Sequence, residues 1–486
     1  MNKTIRRASV FTLLLVFALL VRATWVQFYD GQALANSEDN RRTKISQYAN
    51  PLGDIIVGGK AVTGSTKTGE SSDLKYKRTY TDGSLYSAVT GFTSQVYGAT
   101  QLEGIYQGVL DGTDVELKTP ADALTGKNAD PGDVLTTIDP GVQKAAYSAL
   151  GDKKGAAVAI DPKSGRILGM VSTPSFDPSK ISGSGDSDAA AWKKLSKDED
   201  SPTTNRALKQ ALPPGSTFKL VVAAAALENG LYSSVDEKTD SPNPYKLPGT
   251  TTYLKNENAS APCENATIRT ALQYSCNNVF GKIAADLGKD KVRATAEKFG
   301  FNDAKTDVPV RAAESYYPSK MDSAQTALSG IGQFDVTATP MQIAMVSATI
   351  ANGGEQASPH MVSQVTDSDG DAVKSFKDGD NTRVISKSTA SQLQSAMETV
   401  VSKGTATVAQ MDGATVGGKT GTAQHGENNS QTPYAWFTSY AKDDSSGKEV
   451  AVAVLVEQSS TARSEVSGSG LAGPVAKSMM EAALKD

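Results

Sequence analysis

The sequence predicts an α+β fold, a largely antiparallel sheet covered by helices, and three observations carry that expectation. Two apolar runs, residues 155–160 and 166–171, flank Asp161-Pro162-Lys163-Ser164-Gly165, a string of turn-forming residues, and so read as a hairpin. Residues 434–440 and 450–456 form a second strand pair around Asp443-Asp444-Ser445-Ser446-Gly447. Between the pairs lie helical patterns, among them the apolar run 220–227. Strands at both ends of a unit with helices between them require the first hairpin to join the later strands in one sheet.

The 486-residue chain is too long for one ordinary core. Its first part is expected to be a cytoplasmic tip and membrane anchor, residues 1–29. Lys3, Arg6 and Arg7 precede an apolar run at 8–21 that falls short of the roughly 20 residues a span needs. Arg22 can snorkel to the interface, and Trp25, Phe28 and Tyr29 suit an aromatic belt, which extends the segment to residue 29. Cations ahead of the run place the N-terminus in the cytoplasm and the body outside. The rival is a cleaved signal peptide ending near Ala33-Leu34-Ala35; Arg22 and the aromatic residues interrupt a normal approach to cleavage and favour the anchor. Both readings export the body.

Residues 30–130 read as a non-catalytic module of short strands, such as Gly53-Asp54-Ile55-Ile56-Val57, broken by Gly, Ser and Thr. The third unit, 131–486, carries the chemistry. It opens with a strand at 134–138. Asp139-Pro140 then starts a helix with Val142, Ala145, Ala146 and Ala149 on its apolar side. Residues 182–188, rich in Gly, Ser and Asp, read as a flexible loop, and residues 473–484 as a terminal helix. No repeat of 20–50 residues is visible.

Composition excludes several classes of function. Net charge is −4 and no basic block occurs, so nucleic acid is not an expected partner. Two Cys and two His do not assemble a metal set, and no metal or organic cofactor is expected. Cys263 and Cys276, close together in an exported chain, suggest one disulfide; the alternative is a pair of buried thiols.

With only His360 and His425, a Ser-His-Asp relay is improbable, and a lysine must serve as base. Ser216-Thr217-Phe218-Lys219 follows Pro213-Pro214-Gly215 and leads into the apolar helix. Ser216 therefore sits at a helix N-terminus, where free N–H groups favour developing negative charge. Lys219 projects from the same face three residues on, and burial lowers its pKa so that a neutral amine can take the serine proton. Ser275-Cys276-Asn277 follows a helical run at 268–274 and places a hydroxyl for proton relay beside an amide that can hold a substrate carbonyl. Lys419-Thr420-Gly421-Thr422 reads as a strand. Gly421 permits close backbone approach, the Thr422 and Ser216 N–H groups can form an oxyanion hole, and Lys419 supplies positive charge for a substrate carboxylate. Decoys occur for each string. Ser72-Asp73-Leu74-Lys75 and Ser445-Ser446-Gly447-Lys448 read as solvated loops, Ser241-Pro242-Asn243 as an ordinary turn, and Lys67-Thr68-Gly69 as a loop without strand context.

The ordered triple resembles the penicillin-recognising acyl-serine transferases. More of the chain is similar to class B penicillin-binding proteins, in their actinobacterial PbpA branch. The resemblance is carried by Asn205-Arg206-Ala207, Ser329-Gly330-Ile331-Gly332-Gln333, Thr339-Pro340-Met341-Gln342, Ala351-Asn352-Gly353-Gly354, Ala435-Trp436-Phe437 and Ala472-Gly473-Pro474-Val475. One departure is Pro51-Leu52-Gly53-Asp54-Ile55-Ile56-Val57, where the family usually has Arg-Gly-x-Ile-x-Asp-Arg. The resemblance implies a penicillin-binding transpeptidase fold and a peptidoglycan D,D-transpeptidase. Ser216 is then the nucleophile, Lys219 the base and Ser275 the relay, and Asn277, Lys419, Thr420, Gly421 and Thr422 bind substrate. Implied partners are peptidoglycan stem peptides, β-lactams as covalent inhibitors, the cytoplasmic membrane and a separate membrane glycan polymerase. The competing readings are a D,D-carboxypeptidase or β-lactamase, which pass the acyl group to water, and a non-catalytic scaffold or sensor. No Glu-x-x-Leu-Asn string for deacylation is present, and the intact Ser216, Lys219 and Lys419 argue against a dead site.

Overall fold

The computed structural model describes residues 3–30, 41–69, 72–119, 122 and 127–485. The Ala33-Leu34-Ala35 string lies outside them. Lys3–Trp25 is one helix of 23 residues, long and apolar enough to cross a membrane, a property that signal sequences share.

The main sheet has five strands in the order Ala414–Ala423, Tyr434–Asp443, Glu449–Gln458, Lys154–Ile160, Ile167–Thr173. Every neighbouring pair is antiparallel, so the first hairpin does join the late strands. The central strand pairs Val454 with Ala157 and Val452 with Ala159. Its residues from Val450 to Val456 are buried without alternation, which is the pattern of a strand covered on both faces. Pro140–Leu150 and Gly473–Leu484 pack together against this sheet, and Pro340–Ala351 and Lys387–Lys403 also lie on it. Asp139 starts Pro140–Leu150 by accepting the Gly141 and Val142 N–H groups, with Pro140 at a position that needs no donor. The helix Lys219–Glu228 sits deeper, among Asn277–Leu287, Lys289–Lys298 and Lys387–Lys403, and Lys219 to Ala226 are wholly buried.

A second five-stranded sheet runs Ala372–Ser375, Val362–Thr366, Asp133–Thr136, Ile55–Val57, Lys60–Ala61. The strand Asp133–Thr136, just past the expected boundary at residue 130, lies parallel to Ile55–Val57 and antiparallel to Val362–Thr366. The early module is thus sewn to the rest. Gln143 Nε2 donates to Leu85 O at 2.9 Å and Asn205 Nδ2 to Ala88 O at 2.8 Å, both on the buried helix Gly83–Thr90. Within the module, Arg78 is wholly buried and held by Glu103 (2.7 Å), the Gly53 carbonyl (2.6 Å) and Asp54 (3.6 Å). Desolvation pushes the Glu103 carboxyl up against the pull of Arg78.

Two local expectations are corrected. Residues 182–188 are not a flexible loop: Ser182 is wholly buried with its hydroxyl donating to Arg78 O (2.8 Å), and the helix Asp186–Ser196 begins inside the segment. Asp188 accepts the Gly183 N–H at 2.7 Å. The residue types that make loops also start helices, and acidic residues in the first turn suit the helix dipole. Lys67 does have strand context, as the last residue of Thr63–Lys67 paired with Tyr76–Tyr80. It is exposed in the early module, which is what separates it from Lys419.

Candidate active site

Three elements converge on one point. The first is the turn Gly215–Thr217 leading into Lys219–Glu228. Gly215 has φ +52, and a Cβ there would lie 2.9 Å from Thr422 O, so the turn abuts the backbone of the strand Ala414–Ala423. A Cβ on Gly332 would collide with the Gly215 carbonyl, while Gly332 O accepts the Gly215 N–H at 3.0 Å. Trp436, wholly buried, donates its indole N–H to Pro213 O at 2.9 Å. Gly332 and Trp436 thus seat Ser216 from two sides.

The second element is the junction between the helices Ile268–Tyr274 and Asn277–Leu287. Ser275 sits there at φ +59, a left-handed conformation that costs a non-glycine residue on the order of 1 kcal/mol. Surrounding bonds hold it. Cys276 donates its N–H to Ala271 O at 2.8 Å, and Cys276 is joined to Cys263 by a disulfide. Asn256 Oδ1 accepts the Asn277 N–H at 2.6 Å. The decoy Ser241 is wholly buried beneath this junction, where its carbonyl accepts from Asn278 Nδ2 at 3.0 Å.

The third element is the edge strand Ala414–Ala423, whose outer backbone groups pair with no further strand among the described residues. A Cβ on Gly421 would stand 2.9 Å from Trp436 Cβ, 3.0 Å from Thr217 Cγ2 and 3.1 Å from Pro214 O, so only glycine lets the strand close on the Ser216 turn. Thr420 Oγ1 bonds Thr405 Oγ1 at 2.8 Å.

Lys219 Nζ donates to Ser275 O (2.8 Å), Asn277 Oδ1 (2.8 Å) and Ser275 Oγ (3.2 Å), and lies over the Phe280 ring. Lys419 Nζ donates to the same Ser275 Oγ (3.1 Å) and to Thr420 O (2.9 Å). Both amines are wholly buried. Desolvation brings Lys419 down to about 7, opposed by the Glu257 carboxylate. Lys219 falls well below the lysine range through desolvation first and the neighbouring Lys419 second. A neutral Lys219 keeps two N–H groups, which the Ser275 carbonyl and Asn277 Oδ1, both pure acceptors, can hold. Its lone pair is then left for a hydroxyl proton. Lys419, expected from the sequence to supply charge to a substrate carboxylate, holds the Ser275 hydroxyl. Asn277 donates one amide hydrogen to Lys255 O (3.0 Å) and has a second for a ligand. His425 stacks on Tyr434 and bonds Thr432 O, and His360 bonds Ser358 O, so neither histidine serves Ser216. Asn256 and Glu257 were not singled out from the sequence, whereas Gly332 stood in the string 329–333 that carries the resemblance, without a role of its own. The first two lie in a polar loop with no periodicity to mark them.

Residues 155–481 match the penicillin binding protein transpeptidase domain, and residues 52–134 match the penicillin binding protein A dimerisation domain. The chain belongs to the class B penicillin-binding transpeptidases. It is 36% identical over 501 residues to the peptidoglycan D,D-transpeptidase PbpA of Mycobacterium tuberculosis, covering 100% of this chain and 99% of that one. It is 35% identical over 498 residues to PbpA of Mycolicibacterium smegmatis, covering 100% of both chains. Among solved structures it is similar to penicillin-binding protein A from M. tuberculosis as a ceftriaxone acyl-enzyme complex. There the TM-score is 0.83 at 34% identity, over 91% of this chain and 100% of that one.

Proposed function

We infer that the protein is a peptidoglycan D,D-transpeptidase that works through an acyl-enzyme on Ser216. The observation that carries this reading is the wholly buried Lys219, which opens the helix three residues after Ser216 in the preceding turn and is bonded to Ser275 and Asn277. Ser216 Oγ attacks the carbonyl of the penultimate D-Ala of a stem peptide and passes its proton to neutral Lys219. The Ser216 and Thr422 N–H groups take the oxyanion. The C–N bond to the terminal D-Ala breaks, and Ser275 carries the proton from Lys219 to the leaving amine. An amine of a neighbouring stem then attacks the ester, returns a proton to Lys219 and restores Ser216. Asn277 holds a substrate amide carbonyl. Thr420 and the hydroxyl of Ser275, polarised by Lys419, meet the terminal carboxylate. A β-lactam opens at the same serine and stays as an ester where water is poorly activated.

The chain divides, in this reading, into an anchor at 1–29, a non-catalytic module at 30–130 and the transpeptidase unit at 131–486. The helix Lys3–Trp25 crosses the cytoplasmic membrane once, with the body outside. A separate membrane glycan polymerase is the expected partner, because the module is too small to be one. Mass spectrometry after penicillin tests the chemistry. One adduct is expected on the peptide containing Ser216, lost in Ser216→Ala and slow to leave; rapid release of hydrolysed drug would sink the transpeptidase reading.

A further inference from the structure

Beyond Thr422 the site opens into a cleft of about 560 Å³, lined by Glu257, Thr422, Gln424, Pro433, Arg463 and Ser467. Glu257 is exposed there, and its carboxylate makes no hydrogen bond or ion pair among the described residues. Its place is nevertheless well determined. The side chain of the preceding Asn256 accepts the Asn277 and Asn278 N–H groups (2.6 and 3.3 Å) and donates to Asn278 Oδ1 (2.9 Å). Asn277 Nδ2 holds Lys255 O at 3.0 Å, and the Cys263–Cys276 bridge closes the same loop onto the same junction. The field of Glu257 reaches both catalytic-site lysines, which it pulls upward against desolvation. Arg463, on the opposite wall, has its guanidinium engaged with Asn429 O, Ser430 O and Gln424 Oε1. Glu257 is therefore the open charge of the cleft.

What enters the cleft follows from register, and this step rests on the function proposed above. An extended stem peptide adds antiparallel to Ala414–Ala423, with its terminal carboxylate by Thr420 and its scissile carbonyl at the Thr422 N–H. At roughly 3.3 Å per residue, the stem residue before the D-Ala pair lies beside Gln424 and Glu257. We propose that Glu257 is a specificity-determining residue that binds a cationic side-chain amine on that stem residue.

The test compares two soluble peptides ending in D-Ala-D-Ala, alike except that this side-chain amine is free in one and acetylated in the other. Release of D-Ala is followed with one acceptor amine held constant. The free amine is expected to raise kcat/KM about three- to fivefold at low salt in the native protein. The ratio falls to near one in Glu257→Gln and below one in Glu257→Lys. Taking the ratio within each variant cancels any common effect on the lysines, and the penicillin adduct reports an intact site. A native ratio of one, or a preference that survives in Glu257→Gln, overturns the proposal. If a variant takes no penicillin, the native protein decides: a preference undiminished between about 0.05 and about 1 M salt overturns it. Failure of the native protein to form the adduct would instead overturn the transpeptidase reading.

Discussion

Lys219 and Lys419 meet at one hydroxyl, that of Ser275, and both are wholly buried. Desolvation lowers both amines, and the charge of Lys419 lowers Lys219 further. The consequence for stability has a definite sign. Lys419 titrates at about 7 in the folded chain and in the ordinary lysine range when unfolded. Between those values the unfolded state binds more protons, so stability rises with pH across that window and is lost as pH falls towards 7. Lys419→Met is expected to reduce this slope by about one proton, up to about 1.4 kcal/mol per pH unit, in urea unfolding from about pH 7.5 to about 9.5. An unchanged slope would remove Lys419 as the source. The pairing of both lysines with one serine could not be read from the chain, because the three motifs stand far apart in sequence and no pattern specifies which atoms meet.

The edge strand and the helix junction show how elements hold the site. Gly421→Ala places a methyl group against Trp436, Thr217 and the Pro214 carbonyl, and the strand must retreat from the Ser216 turn. Penicillin acylation is expected to slow on the order of tenfold or more, since small misplacements of reacting groups are costly; stopped-flow acylation measures it, and a native rate would refute the close-approach argument. The disulfide closes a separation of 13 residues around the loop that supports Ser275. Replacing both cysteines by alanine should lower stability by about 2–3 kcal/mol in guanidinium unfolding. The same variant should slow acylation, because Ser275 loses a constraint on its left-handed backbone; loss of stability with full acylation would confine the bridge to a structural role. Strand pairs and the terminal helix were legible because apolar periodicity and turn chemistry are local signals. Residues 182–188 were misread because Gly, Ser and Asp serve loops and helix starts alike.

The early module and the catalytic unit share one continuous core, in which Ile55, Val57 and Val89 join Val158 and Val454. One sheet takes strands from both regions, and Gln143 and Asn205 bond across them. The described body is therefore expected to unfold in one calorimetric transition, with calorimetric and van't Hoff enthalpies in agreement; two resolved transitions would show that the module folds apart. The boundary drawn from composition at residue 130 ran just ahead of the strand that joins the two. A linker-like composition says nothing about which distant strand a segment will pair with.

Short-range chemistry along the chain pointed to the class of enzyme, to Ser216 as the proposed nucleophile with a lysine as its base, and to most strands and helices, and it suggested the pairing of Cys263 with Cys276 that the structure has. Each depends on neighbours a few residues away. Folding settled the rest: the convergence of Lys219 and Lys419 on Ser275, the seating of Ser216 by Gly332 and Trp436, and the carboxylate of Glu257 over the cleft. Those relations join residues tens to hundreds of positions apart, and they exist only where burial brings the segments together and lowers the local dielectric.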